Sequence, residues 1–278
     1  MAKNKLVLPV VKWVGGKRQL LPQLRELLPL HFSTYFEPFV GGGALLFDIQ
    51  PPKAIINDYN SELINVYNMI KIDVELLITD LEKHLNTPEY FYELRSLDRE
   101  QNFYNDTTPI QRASRILYLN KTCFNGLFRV NQAGEFNAPF GFYKNPNIIN
   151  KTTLRAVSNY FNKNDLRFLN EDFESSLKGI RKGAFVYFDP PYDPLSTSSN
   201  FTGYTQGGFK REDQQRLKEL CDSLDAKGVK FLLSNSATEF IKDIYKGYKI
   251  IDVKARRSIN SDGSSRGEIN EVLVRNYE

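Results

Sequence analysis

The sequence Asp189-Pro190-Pro191-Tyr192 follows an apolar run, residues 184–188, that is typical of a buried strand. Two consecutive prolines fix the backbone and remove two donors, which predicts a rigid loop at the strand's carboxyl end. Ligands bind at that edge of open α/β sheets. The Asp189 carboxylate and the free loop carbonyls could accept both hydrogens of an amino group, and a base could stack on Tyr192. Alone, these four residues are more simply interpreted as a proline turn with a capping aspartate.

A second candidate site is the glycine turn at residues 41–43, which follows one predicted strand and opens a predicted helix. Its backbone amides could approach a ligand closely. Glu37 adds a carboxylate at the strand end, and Asp58, after the next predicted strand, could bind the ribose of a nucleotide-like cofactor. A tight turn without a ligand explains the three glycines equally well. The turn has neither the sequence of a P-loop nor the spacing of dinucleotide-binding enzymes.

The elements that must position these residues fall into three parts. Residues up to about 60 predict a leucine-rich helix, a strand, the glycine turn with its helix, and a second strand. The following part, to about residue 165, is mostly helical in pattern and includes a turn at Gly134 that is typical of a β-hairpin. Strands and helices then alternate to the end. We therefore predict an α/β fold with a mostly parallel, doubly wound sheet and a helical insertion.

Composition and charge restrict the classes of protein. With 278 residues, 41% hydrophobic and 25% charged, the chain has an ordinary globular composition. No apolar run approaches the roughly 20 residues of a membrane helix, and no signal peptide is recognised, so we expect a cytoplasmic protein. Cys123 and Cys221 lack metal-site spacing and are expected to be reduced thiols. The net charge of +4, with only basic charges in the first 25 residues, permits a nucleic-acid partner without proving one.

Taken together, several segments resemble the Dam family of DNA adenine-N6 methyltransferases, especially the DpnII-type enzymes of restriction–modification systems. FDPPY alone indicates only an amino-methyltransferase, whereas KWVGGK and NGLFRVN are typical of this family. The matching segments follow one another through nearly the whole chain: KWVGGKRQLL, FEPFVGGGAL, INDYN, NGLFRVN, GEFNAPFG, EDF, FDPPY, SNFTGYT and KARRSINSDG.

The resemblance implies a Rossmann-like fold that uses S-adenosylmethionine as its cofactor and carries an inserted, mainly helical DNA-recognition domain with a β-hairpin. Residues 1–61 and 166–278 would form the catalytic domain, and residues 62–165 the insertion. The catalytic loop would comprise Asp189, Pro190, Pro191 and Tyr192. The cofactor would contact Trp13, Lys17, Glu37, Phe39, Gly41, Gly43, Asp58, Asp172, Phe173 and Asp189. DNA would contact Lys12, Phe124, Asn125, Leu127, Arg129, Asn131, Pro139 and Tyr143.

The implied activity is methyl transfer to N6 of adenine in double-stranded DNA, within GATC, protecting host DNA from a restriction endonuclease. That endonuclease would be a functional rather than a physical partner. We expect a monomer, with dimerisation on DNA left open, and no metal. One departure is Phe142, where the family often has arginine after PFG. The departure removes an expected DNA-contacting charge and leaves the hairpin contacts and the GATC target open.

Three other interpretations remain at this point. The protein could methylate cytosine N4 or RNA adenine, because DPPY does not separate these substrates. It could be a DNA-binding protein with a non-catalytic methyltransferase fold, against which the intact DPPY and glycine turn argue. A metal-dependent nuclease could use Asp58, Asp172 and Asp189, but the sequence has no compact ligand cluster.

Overall fold

The computed structural model describes residues 3–13, 15–131, 133–194, 208–256 and 268–278. The SNFTGYT segment (199–205) and most of KARRSINSDG (254–263) lie outside these residues. Within them, no helix has the length and apolar character needed to cross a membrane.

Seven strands of the described residues form one sheet, in the order β3-β2-β1-β4-β5-β7-β6. They are β1 (Tyr35–Glu37), β2 (Lys53–Asn57), β3 (Asp165–Leu169), β4 (Phe185–Phe188), β5 (Lys230–Ser236), β6 (Lys249–Arg256) and β7 (Glu268–Arg275). Neighbouring strands are parallel except at β7, which is antiparallel to both β5 and β6. The predicted α/β fold with a mostly parallel sheet is therefore confirmed.

The helices of the described residues cover the sheet and fill the stretch between β2 and β3. They are α1 (Leu21–Leu27), α2 (Ala44–Ile49), α3 (Ser61–Ile72), α4 (Val74–Leu81), α5 (Pro88–Ser96), α6 (Phe103–Asp106), α7 (Pro109–Thr122), α8 (Lys151–Lys163), α9 (Arg211–Ala226) and α10 (Glu239–Ile244). The apolar pattern of residues 62–85 gives two helices, because the Asp73 side chain accepts a hydrogen bond from the Leu76 amide and begins α4.

Strand β4, which leads into the DPPY loop, is buried on both faces. Phe185 and Tyr187 belong to the core on one side of the sheet, and Val186 and Phe188 to the core on the other. This two-sided burial explains why the strand is continuously apolar in sequence. Since β1 and β4 are adjacent and their following strands lie on opposite sides, the chain changes direction between them. A crevice forms at such a point, at the carboxyl ends of the strands.

Helices α3 to α8 lie between β2 and β3 in the chain. Leu63 and Tyr67 of α3 and Leu117 of α7 share one hydrophobic core with Ala54 and Ile56 of β2. Beyond α7 the chain makes two isolated antiparallel bridges, one of which is between Val130 and Phe136. The core thus runs from the sheet into these helices, and it includes Phe128 of the segment after α7.

Candidate active site

The Asp189 carboxylate lies at the carboxyl end of β4 and forms an ion pair with Lys17. Lys17 Nζ is 2.8 Å from Asp189 Oδ1, and the lysine is only 6% exposed. The same ammonium donates to the Gly15 carbonyl at 2.6 Å. Asp189 Oδ1 is buried, with the Lys17 ammonium beside it. The carboxylate is therefore charge-compensated, and the Lys17 ammonium occupies only one of the roughly four acceptor sites of an ionised carboxyl group.

Burial raises the pKa of Asp189 to about 6, although the positive charge of Lys17 opposes this shift. Such a carboxyl group is ionised at neutral pH but becomes protonated in mildly acidic solution. Its protonation state, and with it its capacity to accept hydrogen bonds, therefore changes within a physiologically relevant pH range.

Tyr192 presents its ring beside this ion pair. Its hydroxyl donates to Glu271 Oε2 on β7 at 2.7 Å, and Lys17 Nζ lies 4.6 Å from the ring centroid. Burial, followed by the nearby charge of Asp189, raises the pKa of Tyr192 well above its ordinary value. The hydroxyl therefore stays protonated and remains a donor. The hydrogen bond to Glu271 and the contact with Lys17 hold the ring in one orientation.

A buried polar network lies beneath the DPPY loop, and the sequence analysis did not identify it. Gln214 Nε2 of α9 donates to the Pro191 carbonyl at 2.9 Å, and Gln214 Oε1 accepts from Asn235 Nδ2 at 3.0 Å. Asn235 Oδ1 of β5 accepts from the Asp193 amide at 3.2 Å. Polar residues at core positions of an amphipathic helix and an apolar strand were the available signal.

Asp193, the residue after DPPY, is also anchored through its side chain. Its buried carboxylate accepts from Arg211 Nε at 3.1 Å and from Thr238 Oγ1 at 2.8 Å. Ser236 Oγ donates to the Asp193 carbonyl at 2.7 Å. The segment after the two prolines is consequently held to α9, β5 and the start of α10.

The glycine turn at residues 41–43 is closed by hydrogen bonds to its neighbours. The Gly41 amide donates to Asp58 Oδ2 at 2.9 Å, and Tyr67 Oη donates to the Gly41 carbonyl at 2.7 Å. Gly41 has a φ of +47°, and a Cβ there would lie 2.8 Å from Trp13 Cδ1. Glycine is required because of both the backbone conformation and the approach of Trp13.

Trp13 connects the glycine turn to the segment after α7. Its ring stacks on Phe128 with centroids 4.3 Å apart and an interplanar angle of 19°. The structure thus brings together Trp13, the glycine turn and NGLFRVN, which are far apart in sequence.

Three carboxyl groups gather at the carboxyl ends of β1, β2 and β4. Burial raises the pKa of Glu37 well above its usual range, and the neighbouring Asp189 raises it further, while a hydrogen bond from Tyr35 opposes the shift. Burial also raises the pKa of Asp58 to about 6, against amide hydrogen bonds from Asn60 and Gly41. A cationic ligand would relieve the unfavourable burial of these charges, so this edge of the sheet fits a positively charged cofactor.

An aromatic cluster contains Phe39 and Phe173, two of the expected cofactor contacts. The ring centroids of Phe39 and Phe173 are 5.4 Å apart, and Phe209 lies 5.7 Å from Phe39. Asp172 is partly exposed and paired with Arg216 at 3.2 Å. Phe39 and Phe173 are therefore together as expected, whereas the Asp172 carboxylate already has a cationic partner.

Lys12 and Asn125, two expected DNA contacts, are also in contact with each other. Lys12 Nζ donates to the Asn125 carbonyl. The buried Asn120 of α7 holds the Lys12 backbone in both directions, accepting from its amide and donating to its carbonyl, each at 2.8 Å. Sequence reasoning missed Asn120, which attaches the N-terminal segment to α7.

Arg129 is held by a side chain of its own loop. Its Nε donates to Asn137 Oδ1 at 2.7 Å and its Nη2 to the Asn137 carbonyl at 3.1 Å. Asn131 uses its amide inside the turn, donating to Glu135 Oε2 at 2.6 Å and accepting from the Glu135 amide at 3.0 Å. Arg129 is thus oriented by its own loop, and Asn131 stabilises the turn.

The remaining expected DNA contacts differ in exposure. The exposed fractions of Phe124 and Tyr143 are 56% and 40%, and the unexpected Phe142 reaches 74%. The Pro139 carbonyl accepts from the Phe124 amide at 2.8 Å, which joins the two segments. Leu127 is partly buried. The aromatic side chains of Phe124, Phe142 and Tyr143 are thus accessible to a ligand.

A metal centre is not indicated in the part of the chain that the structure describes. No group of three or more His, Cys, Asp or Glu side chains there could hold a metal ion. Cys123 and Cys221 are both free and buried.

Comparison with known proteins identifies the family. Residues 13–259 match the family described as D12 class N6 adenine-specific DNA methyltransferase. The chain is 47% identical to the Type II methyltransferase M1.LlaDCHI of Lactococcus lactis subsp. cremoris, covering 100% of this chain and 98% of that protein. It is 40% identical to the Type II methyltransferase M.MjaIII of Methanocaldococcus jannaschii, with coverages of 98% and 99%.

A third relative extends the likeness beyond the Type II methyltransferases. The chain is 34% identical to the DNA adenine methylase of Escherichia coli strain K12, over 99% of this chain and 96% of that protein. The similarity to named adenine methylases thus runs along nearly the full length of the sequence. The chain therefore belongs to the D12 class of N6 adenine-specific DNA methyltransferases.

Proposed function

We propose that this protein methylates N6 of adenine in double-stranded GATC sites, with S-adenosylmethionine as the methyl donor. The observation that carries the proposal is the Asp189 carboxylate, buried at the end of β4 beside Lys17 and Tyr192. Its position at the carboxyl end of β4, next to the glycine turn after β1, supports a shared site for a base and a cofactor. The names of the Type II relatives support a role in protecting host DNA within a restriction–modification system.

The residues of the crevice fit the proposed cofactor, which supplies a methyl group activated on a positively charged sulfur. Glu37 and Asp189 would face that charge, and Asp58 would accept hydrogen bonds from the ribose. The rings of Phe39 and Phe173 would contact the adenine. The buried carboxyl groups support a cationic ligand more strongly than a neutral one.

Methyl transfer requires a more nucleophilic amino nitrogen than free adenine offers, because its lone pair is delocalised into the ring. Asp189 and the Pro190 carbonyl would each accept one N6 hydrogen, which favours a pyramidal nitrogen. These acceptors contribute through position and charge, and the chain need not form a covalent bond to the base.

The target adenine must leave the duplex to reach Asp189, at a cost of a few kcal/mol. Stacking on the Tyr192 ring would recover roughly 1–3 kcal/mol. Glu271 and Lys17 fix the orientation of that ring, so it is ready to receive a base. Phe124 and Asn125 would help to hold the opened site, and Lys12 would contact a base or a phosphate.

Residues 62–165 would serve as the target-recognition insertion, with a hairpin around Gly134. Leu127, Arg129 and Pro139 would contact the target bases from this part. The orientation of Arg129 by Asn137 supports recognition of a guanine, since bidentate pairing needs a fixed guanidinium.

The function is tested with purified protein, tritium-labelled S-adenosylmethionine and two duplexes that differ only in whether GATC is intact or scrambled. We expect label in the GATC duplex alone, recovered as N6-methyladenine. Label in both duplexes would overturn the proposed target, and label recovered as N4-methylcytosine would overturn the proposed base.

Replacing Lys17 with methionine is expected to shift the acid limb of the pH–rate profile to higher pH. Lys17 lowers the pKa of Asp189, so its removal raises that pKa above about 6. Because the ionised carboxylate is the active form, the variant should lose most activity near neutral pH and least in alkaline solution. Single-turnover rates across pH provide the measurement, with the exposed Lys53 replaced by methionine as the control. An unshifted acid limb would contradict the pairing.

A further inference from the structure

Gln214 is a polar side chain on the apolar face of α9. It shares that face with Leu217, Cys221 and Leu224, and it is only 1% exposed. An apolar side chain would pack there at no cost, whereas a buried amide costs free energy unless its hydrogen bonds are made. The position therefore indicates a role other than packing.

The hydrogen bonds of Gln214 reach the catalytic loop from inside the protein. It donates to the Pro191 carbonyl at 2.9 Å and accepts from Asn235 at 3.0 Å. Asn235 in turn accepts from the Asp193 amide at 3.2 Å. The two peptide groups that follow Pro191 are thus both held, by two side chains that also hold each other.

This anchoring has a geometric consequence for the preceding carbonyl. The ring of Pro191 fixes its own φ, and a residue before proline is restricted to an extended backbone. The direction of the Pro190 carbonyl then depends on how the next peptide group, which contains the Pro191 carbonyl, is held. Gln214 holds that group.

We propose that Gln214 is a positioning residue for methyl transfer, which keeps the Pro190 carbonyl aimed at the adenine amino group. The inference rests on the proposed function, in which Pro190 and Asp189 accept the two N6 hydrogens. Gln214 contacts neither the base nor the cofactor. Its loss should consequently lower the rate of transfer and leave the affinities for DNA and cofactor nearly unchanged.

The test uses Gln214→Glu, which keeps the shape of the side chain and makes its donor depend on protonation. An ionised carboxylate cannot donate to the Pro191 carbonyl, whereas a protonated one can. Charged groups near this position include Asp193 of the loop and Arg211 of α9, which pair with each other, and Glu271 of β7, which lies opposite Ser236. The facing β5 residues, Asn235 and Ser236, are uncharged.

We expect the single-turnover rate of Gln214→Glu, divided by that of the wild type at the same pH, to be about 10²-fold low in alkaline solution. The ratio should recover as the pH falls and the introduced carboxyl takes up a proton. Division by the wild-type rate cancels the titration of Asp189. A merely structural role predicts a lower melting temperature without a pH-dependent ratio.

Two further variants keep the result decisive. Gln215→Glu makes the same charge change at the exposed neighbouring position and should behave as the wild type. Gln214→Leu removes the donor at every pH, so its deficit should not recover. A constant ratio for Gln214→Glu, or a normal rate per folded molecule for Gln214→Leu, would overturn the inference. If the wild type itself does not methylate the GATC duplex, the proposed function fails instead.

Discussion

Replacement of Asp189 by asparagine should lower the single-turnover rate of methyl transfer by about 10³-fold. Asparagine has nearly the same shape, but it removes the negative charge and turns one acceptor oxygen into a donor. That donor would face the hydrogens of the amino group. The rate is measured with enzyme in excess over a labelled GATC duplex, so that product release does not obscure the chemical step.

A control is needed to show that the lower rate of Asp189→Asn arises in the chemical step and not from unfolding or from loss of DNA binding. Asp165→Asn makes the same substitution at the exposed start of β3, where Asp165 pairs with Lys53, and should leave the rate unchanged. A folded Asp189→Asn protein with near-normal turnover would show that the carboxylate is not the acceptor. In the wild type, the rate should fall as the pH drops through about 6, because protonation removes the same acceptor.

Replacement of Arg129 by alanine should relax sequence preference more than it weakens cofactor binding. A bidentate arginine–guanine contact contributes about 1–3 kcal/mol of discrimination, equivalent to roughly fivefold to 150-fold in relative rate. The measurement compares transfer rates on GATC and on duplexes with one substituted base pair. For substitutions at one position of the site, we expect the transfer rate on GATC divided by the rate on the substituted duplex to fall towards one.

Because Asn137 orients Arg129, a substitution of Asn137 can be compared with the loss of Arg129 itself. Asn137→Ala removes the Asn137 side-chain acceptor and leaves the arginine, so its loss of discrimination should be smaller. Arg167→Ala, at the exposed edge strand β3, is the matched control and should keep full discrimination. If Arg129→Ala lowers the rates on all duplexes equally, the contact is to phosphate and not to a base.

Local sequence patterns were sufficient to predict the ends of the central strands. The apolar run before Asp189 predicted a buried strand, and the glycine turn predicted the transition from β1 to α2. These predictions succeed because burial and positive φ impose requirements on single residues. The division between α3 and α4 at Asp73 is not visible in the apolar pattern, because a cap interrupts the helix without interrupting that pattern.

The partners of the site residues could not be predicted in the same way. Lys17 reaches Asp189, and Glu271 reaches Tyr192, only because the sheet order brings distant segments to one edge. Gln214, Asn235 and Asn120 look like ordinary polar residues until their burial is known. Hydrogen-bond networks depend on tertiary packing, which cannot be inferred from the spacing of residues within one segment.

The stack of Trp13 on Phe128 has a spectroscopic consequence, because the sequence contains a single tryptophan. Its indole lies over the glycine turn on one side and against the NGLFRVN segment on the other. Intrinsic fluorescence therefore reports from one defined place, with no background from other indoles. Stopped-flow emission traces could time the arrival of a nucleotide-like ligand and of DNA separately, on the native chain and without a dye.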